Sequence, residues 1–251
     1  MREELGERAR TAVAGDWFVL GAPPGSGAVD SSLPFVQQVL EALFHQRFSR
    51  GPSSAISVYL FPDANSYERY CRATFQEPCI SVYGFFSPAR RSLVMNLGLG
   101  IGTLSHELVH PILEADFPGA PTWLNEGIAS LYEAPVLPRR GEIHGRKNWR
   151  YARLRSALGS AKGREQVTLA ALFEMSDARF RGSGEDLHYA MARYACQWLD
   201  ERGQLWDFYH AWRDGFASDT RGDKAFGSVV GRTPAEANED WRRWVIGLGA
   251  D

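Results

Sequence analysis

The sequence lacks the features by which several classes of protein are recognised. Its 251 residues contain no apolar run near the roughly 18 residues that a membrane-spanning helix needs. Lysines and arginines number 28 against 30 aspartates and glutamates, so the net charge is −2, and neither nucleic acid nor an anionic membrane is expected as a partner. Hydrophobic residues make up 44% of the chain, which is enough for an ordinary core without disulfides or other staples.

Cysteine is scarce as well. Three cysteines are an odd number, which argues against a disulfide framework, and no two have the Cys-x-x-Cys spacing of a metal knuckle. Cys71 and Cys79 are close enough in sequence to close a small loop if the protein is exported, whereas Cys196 lies in an apolar helical pattern typical of a core. The N-terminus lacks the apolar stretch of a secretory signal. We therefore expect a cytoplasmic protein, or an exported one from which a leader has been removed.

The hydrophobic pattern divides the chain into a mixed α/β first half and a mainly helical second half. We expect an N-terminal extension (1–16) and one domain (17–251), which consists of an α/β lobe (17–115) and a helical lobe (116–251). The predicted strands are 17–20, 56–61, 81–86 and 92–97, the last two forming a β-hairpin. The predicted helices are 35–48, 64–75, 103–115, 122–133, 146–160, 168–175, 186–202, 204–215 and 234–247, and 21–34 is predicted to be a loop.

The helix that begins near Thr103 carries the motif His106-Glu107-Leu-Val-His110. Residues four apart share one helix face, about one turn from each other, and two imidazoles at this spacing bind one zinc ion. Glu107 projects beside this pair and can contact a zinc-bound water as the general base. The alternative is a helix that presents two surface histidines without a metal.

A catalytic zinc requires a third protein ligand and an open position for water. Glu126 is the favoured candidate because it is an acidic residue within an otherwise apolar helical stretch, where a carboxylate needs a partner. Asp116 stands at the spacing of the metzincin motif, but that motif needs a glycine where this chain has Leu113. His144 is the third candidate and lies in a Gly- and Arg-rich segment without a supporting pattern.

Two blocks carry a resemblance to a known family, Thr103-Leu-Ser-His-Glu-Leu-Val-His110 and Pro121-Thr-Trp-Leu-Asn-Glu-Gly-Ile-Ala129. They resemble the gluzincins, the thermolysin-like zinc peptidases of the peptidase MA clan, and most of all their small bacterial single-domain branch. Weaker similarity extends over roughly 17–248.

The resemblance implies an α+β zincin fold, with a twisted mixed sheet, a helical C-terminal lobe and the zinc helix at their junction. It also implies hydrolysis of peptide bonds with one Zn²⁺ per chain. His106, His110 and Glu126 are then the metal ligands and Glu107 is the base. Tyr189 corresponds to the residue that stabilises the oxyanion, and the neighbouring His188 is a second candidate for that role.

Two residues depart from the family pattern. Pro111 follows the second histidine directly and predicts a kink in the zinc helix, because proline lacks an amide donor and clashes with the preceding turn. Ser130 stands where thermolysin-like enzymes often have an aspartate that orients a ligand histidine. Glu133 or Asn125 are candidates to replace that aspartate.

The predicted function is therefore a zinc metallopeptidase that acts on a peptide or protein. Two other interpretations are open: a non-catalytic zincin used as a binding module, and a zinc hydrolase that acts on a non-peptide bond.

Seven basic residues between 139 and 155 indicate a solvated helix face, or a cleft rim that favours acidic substrates. Tryptophans in the second half, Trp149 among them, are expected in the core. We also expect one strand of the 81–97 hairpin to form the rim of the cleft, with unpaired backbone groups that bind substrate.

Overall fold

The computed structural model describes residues 1–249 and consists of two compact units. Unit 1 is Met1–Asp116 with Tyr132–His144, and unit 2 is Phe117–Leu131 with Gly145–Asp251, of which the last two residues lie outside the described part. The class is α+β, with a mixed five-stranded sheet and helices.

Unit 1 holds the five-stranded sheet. Its strands are β1 (Arg10–Ala14), β2 (Phe18–Ala22), β3 (Ile56–Phe61), β4 (Gly84–Ser87) and β5 (Ser92–Asn96), and its helices are α1 (Arg2–Leu5), α2 (Ala28–Phe44), α3 (Ala64–Phe75) and α4 (Gly102–Asp116). The strand order is β1-β2-β3-β5-β4. The pairs β1–β2 and β4–β5 are antiparallel, whereas β2–β3 and β3–β5 are parallel. β1 and β4 are therefore the two edges.

Helices cover both faces of this sheet. Successive strand residues point to opposite faces, and Tyr59 of β3 and Val94 of β5 join Tyr70 of α3 in one buried cluster. The alternate residues Val58 and Leu60 are fully buried on the other face, where α2 packs on β1, β2 and β3, and α4 packs on β4 and β5. The candidate motif on α4 is thereby held against the β4 edge of the sheet.

The sequence pattern located most of these elements. The predicted hairpin is confirmed as β4 and β5, although residues 81–83 precede β4. The predicted loop 21–34 is wrong in its second half, because α2 begins at Ala28 and contains Pro34. Val29 and Ser32 are buried there, so tertiary packing outweighs the turn preference of the local sequence. The pattern also missed β1, which pairs with β2 in the segment predicted as an extension.

Unit 2 is helical in all its described elements. Its helices are α5 (Thr122–Leu131), α6 (Arg150–Leu158), α7 (Ala161–Gln166), α8 (Leu169–Phe173), α9 (Asp177–Phe180), α10 (Glu185–Glu201), α11 (Leu205–Gly215), α12 (Asp223–Val230) and α13 (Pro234–Gly247). α5 packs along α10. The two helices approach each other closely at Gly127. A Cβ atom there would lie 2.9 Å from the Ala192 carbonyl oxygen and 2.7 Å from Cys196 Sγ.

Aromatic side chains fill the core of unit 2. Trp123, Trp198 and Trp212 are at most 1% exposed, and Trp123 lies 4.8 Å from the ring centre of Phe173. The expectation of a core position is wrong for Trp149, which is 60% exposed. This residue immediately precedes α6 and lies outside the apolar face of that helix.

Pro111 does not end the helix that carries the motif, and the kink expected there stays a prediction. α4 is continuous from Gly102 to Asp116, with Pro111 inside it. None of the helices in the described part of the chain combines the length and apolar character that a bilayer crossing requires.

Candidate metal centre

Three side chains converge on α4. The metal-binding atoms of His106, Glu107 and His110 all lie within 4.8 Å of one another. The two imidazole rings are 4.9 Å apart between centroids and nearly perpendicular, at 77°, and His110 Nε2 lies 4.0 Å from Glu107 Oε2. The structure thus brings together the two predicted histidine ligands and the predicted base. These side chains form a group that could hold a metal ion through the two imidazole nitrogens, with the Glu107 carboxylate beside them.

The first turn of α4 is anchored to a later segment of unit 1. The Ser105 hydroxyl is fully buried and donates to the Tyr132 carbonyl oxygen at 2.6 Å. The Ala134 amide donates to the Gly102 carbonyl oxygen at 2.9 Å. A Cβ atom on Gly102 would lie 2.9 Å from Ala134 Cβ, so glycine permits this close approach. These contacts fix the helix end from which His106 projects.

Tyr67 of α3 is a neighbour of the site that the sequence analysis did not identify. It is 2% exposed, and burial first, then the negative charges of Glu107 and Glu68, raise the pKa of its phenol. The phenol therefore stays protonated and donates to the Ser81 carbonyl oxygen at 2.7 Å. No periodic pattern connects Tyr67 with Glu107, because they lie on different helices.

Glu126, the predicted third ligand, is described in unit 2, on α5. It is 6% exposed, and its Oε1 accepts a hydrogen bond from Arg181 Nη2 at 3.0 Å. Burial opposes the charge of Arg181, but the nearby Glu126 and Tyr189 outweigh burial and raise the pKa of the guanidinium. Arg181 was also missed by sequence reasoning, since it is 55 residues from Glu126 in a segment without a regular pattern.

Tyr189, the predicted oxyanion donor, lies beside the same carboxylate. Burial first, and then the negative charge of Glu126, raise the pKa of Tyr189, which is also hydrogen bonded to Glu126. Its ring packs 5.0 Å from Phe180 and under the guanidinium of Arg150 at 4.9 Å. Tyr189 is therefore a protonated donor in a defined position.

His188, the alternative oxyanion donor, is engaged with the backbone. Its Nδ1 lies 3.0 Å from the Phe180 carbonyl oxygen, a contact in which the ring nitrogen donates. This hydrogen bond ties the beginning of α10 to the end of α9. With Nδ1 donating, Nε2 of a neutral imidazole is an acceptor and would not donate to an oxyanion.

The two alternative third ligands occupy other positions in unit 1. Asp116 is 1% exposed, and its Oδ1 accepts from the Ser49 amide at 3.1 Å and the Arg50 amide at 2.8 Å. His144 is exposed and lies 3.9 Å from Glu142. Neither belongs to the two groups of three or more metal-binding side chains that the described residues form. Asp116 therefore has a structural role as an acceptor of buried backbone amides.

The residues considered as replacements for an orienting aspartate are in different surroundings. Ser130 is fully buried on α5, and Glu133 is 5% exposed in unit 1. Asn125 is half-buried on α5.

The second group of metal-binding side chains contains Glu68, Cys71 and Cys79. Cys71 and Cys79 form a disulfide with Cα atoms 5.3 Å apart, so their sulfur atoms are engaged with each other. The small loop considered in the sequence analysis is therefore closed. Cys196 is a free, buried cysteine, as predicted.

Several of the basic residues between 139 and 155 have partners within the protein. Arg139 pairs with Glu142 and Arg153 with Asp186, and Lys147 donates to a backbone carbonyl oxygen. These are exposed pairs of the kind found on solvated faces. They favour the solvated-face interpretation over a basic cleft rim.

Comparison of the chain with protein-family models found no match, and comparison with curated proteins found none either.

Proposed function

We propose that the protein is a zinc-dependent metallopeptidase of the gluzincin kind, with one Zn²⁺ per chain. The observation that carries the proposal is that the metal-binding atoms of His106, Glu107 and His110 lie within 4.8 Å of one another on α4. Two imidazoles four residues apart on a helix are the histidine pair of a catalytic zinc site, and the Glu107 carboxylate beside them is placed to serve as the base.

Glu126 is the proposed third ligand, and its assignment rests on the sequence. It lies in the block that resembles the gluzincins, sixteen residues after His110. Its burial supports the assignment, because a buried carboxylate is stable only with charged or hydrogen-bonding partners. Arg181 supplies one such partner at Oε1, Tyr189 is hydrogen bonded to the same carboxylate, and the proposed metal ion would be a further partner.

The chemistry follows from the positions of the side chains. When bound, zinc supplies Lewis acidity that polarises the scissile carbonyl and activates the attacking water. Glu107 takes one proton from that water while the water oxygen attacks the carbonyl carbon. Glu107 then gives this proton to the amide nitrogen as the C–N bond breaks. Tyr189, which is protonated because of burial and Glu126, is the proposed donor to the developing oxyanion.

The β4 edge is the proposed binding position for the peptide main chain. β4 pairs with β5 on one side and is the outermost strand of the sheet, and α4 packs against it. An extended peptide that adds to this edge gains backbone hydrogen bonds irrespective of its sequence. This arrangement supports a polypeptide substrate over a small molecule.

Metal analysis of purified protein is the first test. We expect about one zinc per chain, coordinated by two nitrogens and one carboxylate oxygen. A chelator should abolish cleavage of casein, an unstructured protein, and added zinc should restore it. A protein that binds no zinc would rule out the proposal. A protein that binds zinc and cleaves no peptide would instead support a binding module or a hydrolase of another bond.

Substitutions separate the roles of the individual residues. Glu107→Gln should retain the metal and lose nearly all hydrolysis, because Glu107 is the base and not a ligand. His110→Ala should lose both metal and activity, and Glu126→Gln should weaken metal binding. If Glu107→Gln retains most of the activity, the assigned mechanism is wrong, and if Glu126→Gln binds zinc as well as wild type does, the third ligand is misassigned.

A further inference from the structure

Three of the four residues before β4 have unusually exposed apolar side chains. Ile80 is 77% exposed, Val82 is 65% exposed and Tyr83 is 47% exposed. Leu99, just after β5, is 56% exposed. Exposed apolar side chains that stand singly are normal, but a cluster of them marks a contact surface. We call residues Ile80–Tyr83 the apolar ridge.

The beginning of the apolar ridge is bound to α3 by three contacts. Cys79 is joined to Cys71 by the disulfide, and the Cys79 amide donates to Glu68 Oε2 at 2.9 Å. The Tyr67 hydroxyl donates to the Ser81 carbonyl oxygen at 2.7 Å. One covalent bond and two hydrogen bonds therefore fix the backbone on both sides of Ile80.

The end of the apolar ridge is bound to β5. Asn96 is 2% exposed, and its Nδ2 donates to the Val82 carbonyl oxygen at 2.9 Å. The Asn96 amide donates to the Tyr83 carbonyl oxygen at 2.8 Å. The backbone is thus held from both ends while the Ile80 and Val82 side chains point into solvent. An unrestrained loop could turn such side chains inward, whereas this one cannot without breaking these contacts.

The apolar ridge continues directly into the free edge of the sheet. Tyr83 is followed by Gly84, the first residue of β4. A Cβ atom on Gly84 would lie 2.9 Å from the Val94 carbonyl oxygen and closer still to the Met95 side chain, so glycine lets β4 lie tightly on β5. A polypeptide that pairs with β4 and extends beyond its N-terminal end therefore passes alongside the apolar ridge.

We propose that the apolar ridge binds apolar side chains of an extended polypeptide substrate, so that the enzyme prefers apolar, unfolded segments. The β4 edge is the part of the surface that binds main chain, and the apolar ridge is the part that selects side chains. The inference that the bound polypeptide is a substrate rests on the proposed function, whereas the inference that the apolar ridge binds an apolar polypeptide does not. A rigid ridge also binds without the entropy cost of ordering a loop.

Fluorescence anisotropy with the zinc-loaded Glu107→Gln protein tests this preference without cleavage. The probes are two fluorescein-labelled ten-residue peptides of equal charge, one with Leu and Phe at alternate positions and one with Ser at those positions. The ridge variant is Ile80→Ser with Val82→Ser. The control is Val13→Ser, because Val13 is 63% exposed on β1 at the opposite edge of the sheet.

We expect the apolar peptide to bind more tightly than the serine peptide, and the ridge variant to bind the apolar peptide at least about tenfold more weakly. The Val13→Ser control should bind as the parent does. Equal binding of the apolar peptide by the ridge variant and the parent overturns the proposal, and so does failure of the parent to bind it. Concentration-dependent dimerisation that the ridge substitutions abolish, without an effect on peptide binding, would assign the surface to self-association and also overturn it.

Cleavage assays separate this inference from the proposed function. If the wild-type protein binds the apolar peptide through the ridge but cleaves nothing, the peptidase proposal fails and the ridge proposal stands. If it cleaves both peptides equally well and the ridge variant has an unchanged kcat/KM for each, the ridge proposal fails and the peptidase proposal stands.

Discussion

Replacement of Asp116 by alanine tests the structural role that the geometry gives to this buried carboxylate. Its Oδ1 accepts hydrogen bonds from the Ser49 and Arg50 amides. A hydrogen bond to a charged group contributes about 1.5–3 kcal/mol, and loss of the acceptor leaves both amides without this partner. Since one oxygen serves both donors, we expect Asp116→Ala to lower the free energy of unfolding by about 3–5 kcal/mol.

Urea unfolding and amide hydrogen exchange measure this effect directly. The control is Glu114→Ala on the same helix, an exposed residue whose substitution should change the free energy of unfolding by less than about 0.5 kcal/mol. The Ser49 and Arg50 amides should exchange faster in Asp116→Ala, and the zinc content of the folded protein should be unchanged. An Asp116→Ala protein that loses its zinc while its free energy of unfolding changes by less than about 1 kcal/mol would refute the reasoning and make Asp116 a metal ligand.

Three further outcomes are expected. Arg181→Ala should weaken zinc binding by about 10- to 100-fold in a chelator competition assay, because Arg181 holds one oxygen of Glu126. Arg181→Lys should restore part of the loss. An unchanged zinc affinity of Arg181→Ala would show that Arg181 does not position the ligand. Gly127→Ala should destabilise the protein by about 1–3 kcal/mol because its Cβ meets the α10 backbone. Gly227→Ala on α12, where the new Cβ would be no closer than 4.0 Å to the Arg232 carbonyl oxygen, should stabilise it by about 0.5–1 kcal/mol. Equal thermal shifts would contradict this contrast. The Glu236 pKa is held below 4.5 by hydrogen bonds from the Thr233 backbone and side chain. The contribution of Glu236 to stability is therefore present above pH 4.5 and disappears as the pH falls through the lowered folded-state pKa. The difference in melting temperature between wild type and Glu236→Ala should shrink in acid, and a constant difference would count against the cap.

Local patterns in the sequence predicted much of the secondary structure. The sequence Thr233-Pro-Ala-Glu236 predicts a helix start, and the structure has the complete capping box at that position. The strand-like apolar run in 92–97 predicted β5, a strand that is buried along its whole length. These signals involve residues at most four positions apart, so they do not depend on the rest of the fold.

Some elements carried a misleading local signal. The Gly-, Pro- and Ser-rich residues 21–34 read as a loop, yet α2 begins at Ala28 because its first turns are buried in unit 1. Residues 10–14 have too weak an alternation to be recognised as a strand, and β1 forms because β2 offers a partner. In both segments the tertiary environment supplies the stabilisation that local propensity lacks.

By itself, the sequence determined that His106 and His110 share one helix face with Glu107 beside them, since the two histidines are about one helical turn apart. The tertiary structure alone decided that Arg181 reaches Glu126, that Asp116 caps amides about 66 residues away, and that β4 is an edge strand. The physical reason is range. A helix sets the positions of residues three or four apart, whereas contacts between distant segments depend on how buried surfaces pack, which no local period of the chain records.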